Sequence, residues 1–180
     1  MNRRLLLCLA LGTSMTAFAE QGDQWVVAKG AYTQFDSHTA PQDTYGYGVG
    51  YGVWCTTHFG VDLSLLRTQL KSRLATATGT SQQHQLLGSL LFSFHPDASR
   101  FFPYLAVGVG ATQVGAAFSD NHHQTTRAAY HAGLGAKIRF ADRGLITLDS
   151  KYVRTQANTV RNDWLNTVGV GVVWGAGTHY

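Results

Sequence analysis

Tyr45-Gly46-Tyr47-Gly48-Val49-Gly50-Tyr51-Gly52-Val53-Trp54 alternates large apolar residues with glycine over a whole segment. A period of two sends successive side chains to opposite faces of an extended strand. A helix would need apolar residues three and four apart, and glycine would weaken it. The beat returns in Tyr130, Ala132, Leu134, Ala136, Ile138 and Phe140, set between His131, Gly133, Gly135, Lys137 and Arg139. It returns again in Trp164, Val168, Val170, Val172 and Trp174, set between Leu165, Thr167, Gly169, Gly171 and Val173. Such runs outlast an ordinary strand of about five or six residues. These are long strands.

Working outward, the pattern predicts eight of them, over 24–35, 44–55, 59–69, 83–94, 102–114, 126–140, 145–155 and 164–174. The connections alternate in character. Those at 36–43, 70–82, 115–125 and 156–163 are long and polar, and those at 56–58, 95–101 and 141–144 are short. Short turns at one end and longer loops at the other are the habit of a membrane-spanning up-and-down barrel. No repeat, low-complexity tract or linker divides the chain.

Face polarity separates a membrane barrel from a soluble one. Tyr, Val, Leu, Phe and Trp crowd one face. The other carries glycines with Asp62, Ser64, Gln85, Ser89, Lys137, Arg139, Asp149 and Lys151. Eight strands enclose only enough room for side chains to fill, so the bulky set faces out, into lipid. Hydrocarbon leaves no backbone group unpaired, which requires the sheet to close. The fold class is therefore all-β, an eight-stranded antiparallel up-and-down transmembrane β-barrel. Aromatics near strand ends (Tyr32, Tyr45, Phe92, Phe94, Phe102, Tyr104, Tyr130, Phe140, Tyr152, Trp164 and Trp174) are expected to form interface girdles.

Composition agrees. In 180 residues, 44% are hydrophobic and 13% charged, about half the usual charged share of ~25%. That much apolar material excludes a disordered chain, and no run of about 18 apolar residues offers a membrane helix. The net charge of +4 comes from scattered basic residues rather than a patch, so no nucleic-acid partner is expected. Asn2-Arg3-Arg4, the apolar stretch Leu5 to Leu11 and Ala17-Phe18-Ala19 read as a signal peptide cleaved after residue 19. The barrel domain then occupies 20–180 in the cell outer membrane. Cys55 becomes the only cysteine, which excludes an intramolecular disulfide.

Pro103-Tyr104-Leu105-Ala106-Val107-Gly108-Val109-Gly110 resembles a strand common in OmpA-like and OprF-type outer-membrane barrel domains. So do Gly133-Leu134-Gly135-Ala136-Lys137-Ile138-Arg139-Phe140 with the turn after it, and Val168-Gly169-Val170-Gly171-Val172-Val173-Trp174. The resemblance implies an eight-stranded barrel with its N-terminus in the periplasm. It also implies outer-membrane lipids and the barrel-assembly machinery as partners. Barrels of this kind resemble one another in ending on an aromatic residue behind alternating hydrophobics. Trp174 and Tyr180 share that phase, and one of them is expected to complete the assembly signal. The sequence ends soon after Trp174, so a peptidoglycan-binding domain is not expected. A monomer is expected.

Catalysis finds little footing. Some eight-stranded barrels modify lipid A, but Glu20 is the one glutamate after the leader and no His-x-Ser-Asn motif occurs. A lipid hydrolase needs Ser, His and an orienting carboxylate in reach. His131 is the one histidine placed as such a base would be, and it reads more simply as an interior hydrogen-bonding group. His122-His123 lacks further ligands, so neither metal nor cofactor is expected. Open channels come with about 16 to 18 strands, although the inward glycines suggest room for narrow water-filled cavities. The function expected is a structural or weakly pore-like outer-membrane role, with a lipid A-modifying enzyme or a loop adhesin as alternatives. Finally, by strand counting Lys29, Asp62, Lys137 and Asp149 fall in the lower half of the lumen, with Arg139 just below and Lys151 just above. The two aspartates are expected to pair with those cations and block free passage.

Overall fold

Eight strands follow one another around a closed ring, each antiparallel to its neighbours. They are β1 Gln24–Phe35, β2 Thr44–Trp54, β3 Phe59–Lys71, β4 Thr80–Ser93, β5 Phe101–Gly115, β6 Gln124–Arg139, β7 Gly144–Thr155 and β8 Arg161–Trp174. The computed structural model describes residues 22–35, 43–56, 58–71, 80–94, 100–115, 124–156 and 161–175. The expected leader, Tyr180, His122-His123 and most of the long connections lie outside them. Closure is made by β1 against β8, in register from Gln24 opposite Trp174 to Phe35 opposite Asp163. This seam satisfies the edge groups that hydrocarbon would leave unpaired.

The short turns are built locally. After β2, the amides of Cys55 and Thr56 both donate to the Phe59 carbonyl, at 2.8 and 3.0 Å. After β6, the Phe140 amide donates to the Gly144 carbonyl at 3.2 Å. Such tight reversals fix register, and with a period of two, register decides which face each side chain takes.

Leu134, Leu90, Val109 and Val168 point outward and are about 60% exposed. With Val26, Tyr47, Leu63, Phe92, Tyr130, Tyr152 and Trp174 they make the outside apolar on every strand. An apolar surface of that extent belongs against lipid rather than water. Its height fits: Trp164 to Trp174 spans about 33 Å along the strand, or roughly 25 Å once tilted by about 40°.

Two expectations about facing change. Tyr104 is not a girdle residue: it has inward phase and is only 3% exposed. Phe102 shares that phase, with the Arg139 guanidinium 5.5 Å from its ring centre. The interior is also far less polar than the sequence suggests. Trp25, Val27, Leu66, Leu87, Leu91, Leu145, Val153, Leu165 and Val173 are buried inside with Tyr104. Consecutive pairs such as Leu65-Leu66 and Leu86-Leu87 put leucine on both faces, so alternation alone gives no phase there.

Candidate functional site in the barrel lumen

The lumen is built in three storeys. At the short-turn end Trp25, Val27, Leu91, Tyr104, Ala106, Leu145 and Val173 form one apolar cluster, with Trp54 packed against it. The Trp25 and Trp54 rings lie 5.6 Å apart. Toward the long connections Ala31, Leu66, Leu87, Ala129, Val153 and Leu165 form a second. Polar side chains from β1, β3, β4, β6, β7 and β8 meet between the two clusters.

Lys29 of β1 is the centre of that layer. Its Nζ lies 3.3 Å from Asp62 Oδ1 and 3.8 Å from Asp149 Oδ2, and it donates to Ser64 Oγ at 2.7 Å. Ser64 in turn donates to Asp62 at 2.7 Å, and the Trp25 indole N–H reaches the other Asp62 oxygen at 3.3 Å. Asp149 accepts from Thr167 at 3.0 Å and from the Tyr104 hydroxyl. Each carboxylate thus has a cation and neutral donors. Buried charge is tolerable only under such conditions, because desolvation otherwise outweighs the Coulomb gain.

The other predicted residues divide. Lys151 donates to Ser89 Oγ at 3.3 Å, and Ser89 lies 2.9 Å from His131 Nε2. Lys137 is held among rings, its Nζ 4.1 Å from the Trp25 centroid, 4.2 Å from Tyr104 and 5.2 Å from Trp54. A ring face attracts a cation through its quadrupole, more strongly when both are dry. Arg139 is not part of the cluster: it pairs with Asp23 at the short-turn rim. The structure thus joins Lys29, Asp62 and Asp149, sets Lys151 and Lys137 beside them, and removes Arg139. Sequence reasoning placed Ser64 on the inner face without giving it a role and missed Tyr104 and Trp25; the donors of all three complete the two carboxylates.

The inward glycines do not leave empty space. A Cβ on Gly50 would come within 2.7 Å of Lys29 Cε, and one on Gly108 within 2.7 Å of His131 Cε1. Gly52 lies under the Trp25 ring and Gly135 under the Tyr104 ring. Each of these four glycines is the bed of a large side chain from a neighbouring strand.

A closed eight-stranded ring with a lipid-facing exterior and a filled, partly charged interior fits one established family. The outer membrane protein β-barrel domain matches residues 5–175. The chain belongs to that family. Solved structures of similar fold include the N-terminal barrel of Pseudomonas aeruginosa OprF, at 16% identity, TM-score 0.59, and coverage of 86% of this chain and 100% of that one. Neisserial surface protein A shares 14% identity at TM-score 0.60, covering 86% of this chain and 96% of its own. Pseudomonas aeruginosa OprG shares 14% identity at TM-score 0.63, covering 86% and 97%. No curated protein matches the sequence significantly. Among the described residues of this outer-membrane barrel, no group of three or more His, Cys, Asp or Glu is placed to hold a metal ion.

Proposed function

We propose that this outer-membrane barrel has a structural role, with a lumen closed to free passage of solutes and no catalytic site. The observation that carries this reading is the layering: a paired charge layer lies between two apolar clusters. A solute would have to displace side chains that are themselves packed or hydrogen-bonded. The same layering argues against catalysis. Ser89, His131 and Lys151 resemble a nucleophile with two bases, but all are 5% exposed or less and lie between the two apolar clusters.

In this reading residues 1–19 are a cleaved leader, the short turns face the periplasm, and the long connections face outward. The barrel is a monomer whose partners are the surrounding lipids and, during insertion, the barrel-assembly machinery. Trp174 points outward opposite Gln24 at the closing seam, where an assembly signal would be read. The reading is tested by liposome swelling in small sugars together with lipid A mass spectra from cells with and without the protein. It predicts no swelling above empty liposomes and an unchanged spectrum. Sugar-dependent swelling would oppose closure, and a shifted lipid A mass would make it an enzyme.

A further inference from the structure

The outside of the barrel is not uniform. A depression of about 570 Å³ lies on the outer face of β2 to β5. Its floor is one cross-strand row, Val49 beside Leu65, Leu65 beside Leu86, and Leu86 beside Ala111. The small Ala111 next to bulky Leu86 makes the floor concave. Two residues nearer the long connections, the next outward row reads Tyr47, Arg67, His84 and Gln113, again direct neighbours. One step along each strand therefore takes the surface from fully apolar to a lip of hydrogen-bonding groups with a fixed positive charge.

Arg67 is held for use. Its Nη2 donates to Gln82 at 2.7 Å, which orients the guanidinium, while its Nε is buried and has no hydrogen-bond partner among the described residues. A buried guanidinium N–H without an acceptor is costly, and a planar guanidinium suits phosphate oxygens. The corresponding outer surface of β7 and β8 is different, carrying the edge-to-face pair Tyr152 and Trp164.

We propose that this groove is a binding site for a phosphorylated, multiply acylated glycolipid of the outer leaflet, of the lipid A class. An acyl chain lies on the Val49–Leu65–Leu86–Ala111 floor, and a headgroup phosphate accepts from Arg67 and His84. The order of polarity supports this occupant: apolar toward the membrane centre, cationic toward the long connections, as an anionic amphiphile of that leaflet requires. The inference rests on the long connections facing outward and not on closure of the lumen.

The test is native mass spectrometry of the folded barrel in detergent with added bisphosphorylated lipid A. Parallel samples receive phosphatidylglycerol or inorganic phosphate. Heat-modifiable electrophoretic migration confirms that every variant is folded. One lipid A should be retained per parent barrel, and neither phosphatidylglycerol nor inorganic phosphate should replace it. R67Q combined with H84Q should weaken retention by about tenfold or more, the loss expected for charge-assisted hydrogen bonds. A111F should weaken it by filling the floor, and R154Q, an outward arginine on β7, should leave it unchanged. Equal retention by the Arg67/His84 variant, equal retention of phosphatidylglycerol, or Arg67-dependent binding of inorganic phosphate alone would each overturn the proposal. A tag in the long connections cleaved only from the periplasmic side would overturn the orientation it rests on. Sugar-dependent swelling would count against closure alone.

Discussion

Converting both buried aspartates to asparagine should cost more than the two single changes together. Asparagine keeps the size of the side chain and an acceptor oxygen but removes the charge. In D62N, Lys29 still has Asp149 at 3.8 Å and Ser64 at 2.7 Å. In D149N it keeps Asp62 at 3.3 Å. Each single variant thus loses a charge-assisted hydrogen bond but orphans no ion, a cost of about 2 kcal/mol. The double variant leaves Lys29, Lys137 and Lys151, all 5% exposed or less, with neither carboxylate among them. Orphaning a buried charge costs ~3–5 kcal/mol, so the coupling should reach about 2 kcal/mol beyond additivity. Equilibrium unfolding in guanidinium with lipid vesicles, followed by tryptophan fluorescence and by heat-modifiable migration, measures it. A sign change offers a second reading: K29M should destabilise the parent yet stabilise the double variant. Additivity within about 0.5 kcal/mol, together with no recovery by K29M, would refute the paired charge layer.

Three further outcomes follow from the same geometry. V170R places a charge on the lipid face, where Val170 is 57% exposed, and should cost ~2–4 kcal/mol near the midplane. G169S should also be damaging, for a different reason: its Cβ would meet Thr147 Oγ1 at 2.6 Å and crowd Val27. V27A should partly rescue G169S and not V170R in the same unfolding assay, and rescue of both would contradict the face assignment. A protease site inserted at Thr78-Gly79 should be cut on intact cells, and one at Asp142-Arg143 only after the outer membrane is opened. The reverse pattern would invert the orientation. Burial pushes the Cys55 thiol above its ordinary value of 9.0, so little thiolate exists at neutral pH. Maleimide labelling of Cys55 should still be accelerating above pH 9, and a plateau by pH 8 would show an unperturbed thiol.

The barrel was legible because lipid outside and glycine inside leave a period of two that few other folds require. β1 begins and ends where alternation predicts, and the remaining strands agree within a few residues. The lumen was only partly legible. Charged residues could be assigned to the inside by phase, but their partners depend on stagger between strands. That stagger brings Lys29 to Asp62 and Asp149 and carries Arg139 down to Asp23. The apolar storeys were hidden because Leu65-Leu66, Leu86-Leu87 and Leu90-Leu91 are apolar on both faces. Glycine was read as vacancy for want of its neighbour: Gly135 means a tight bed only once Tyr104 is known to lie across it. The outer groove needs four strands in register, so no stretch of sequence shows it.

Single-channel recording of the refolded barrel in planar bilayers tests closure most directly. The parent should insert without resolved conductance steps. W25A combined with Y104A, which removes the rings that hold Lys137 and donate to the two carboxylates, should give steps. A steady conductance through the parent, unchanged in that variant, would contradict a lumen sealed by its own side chains.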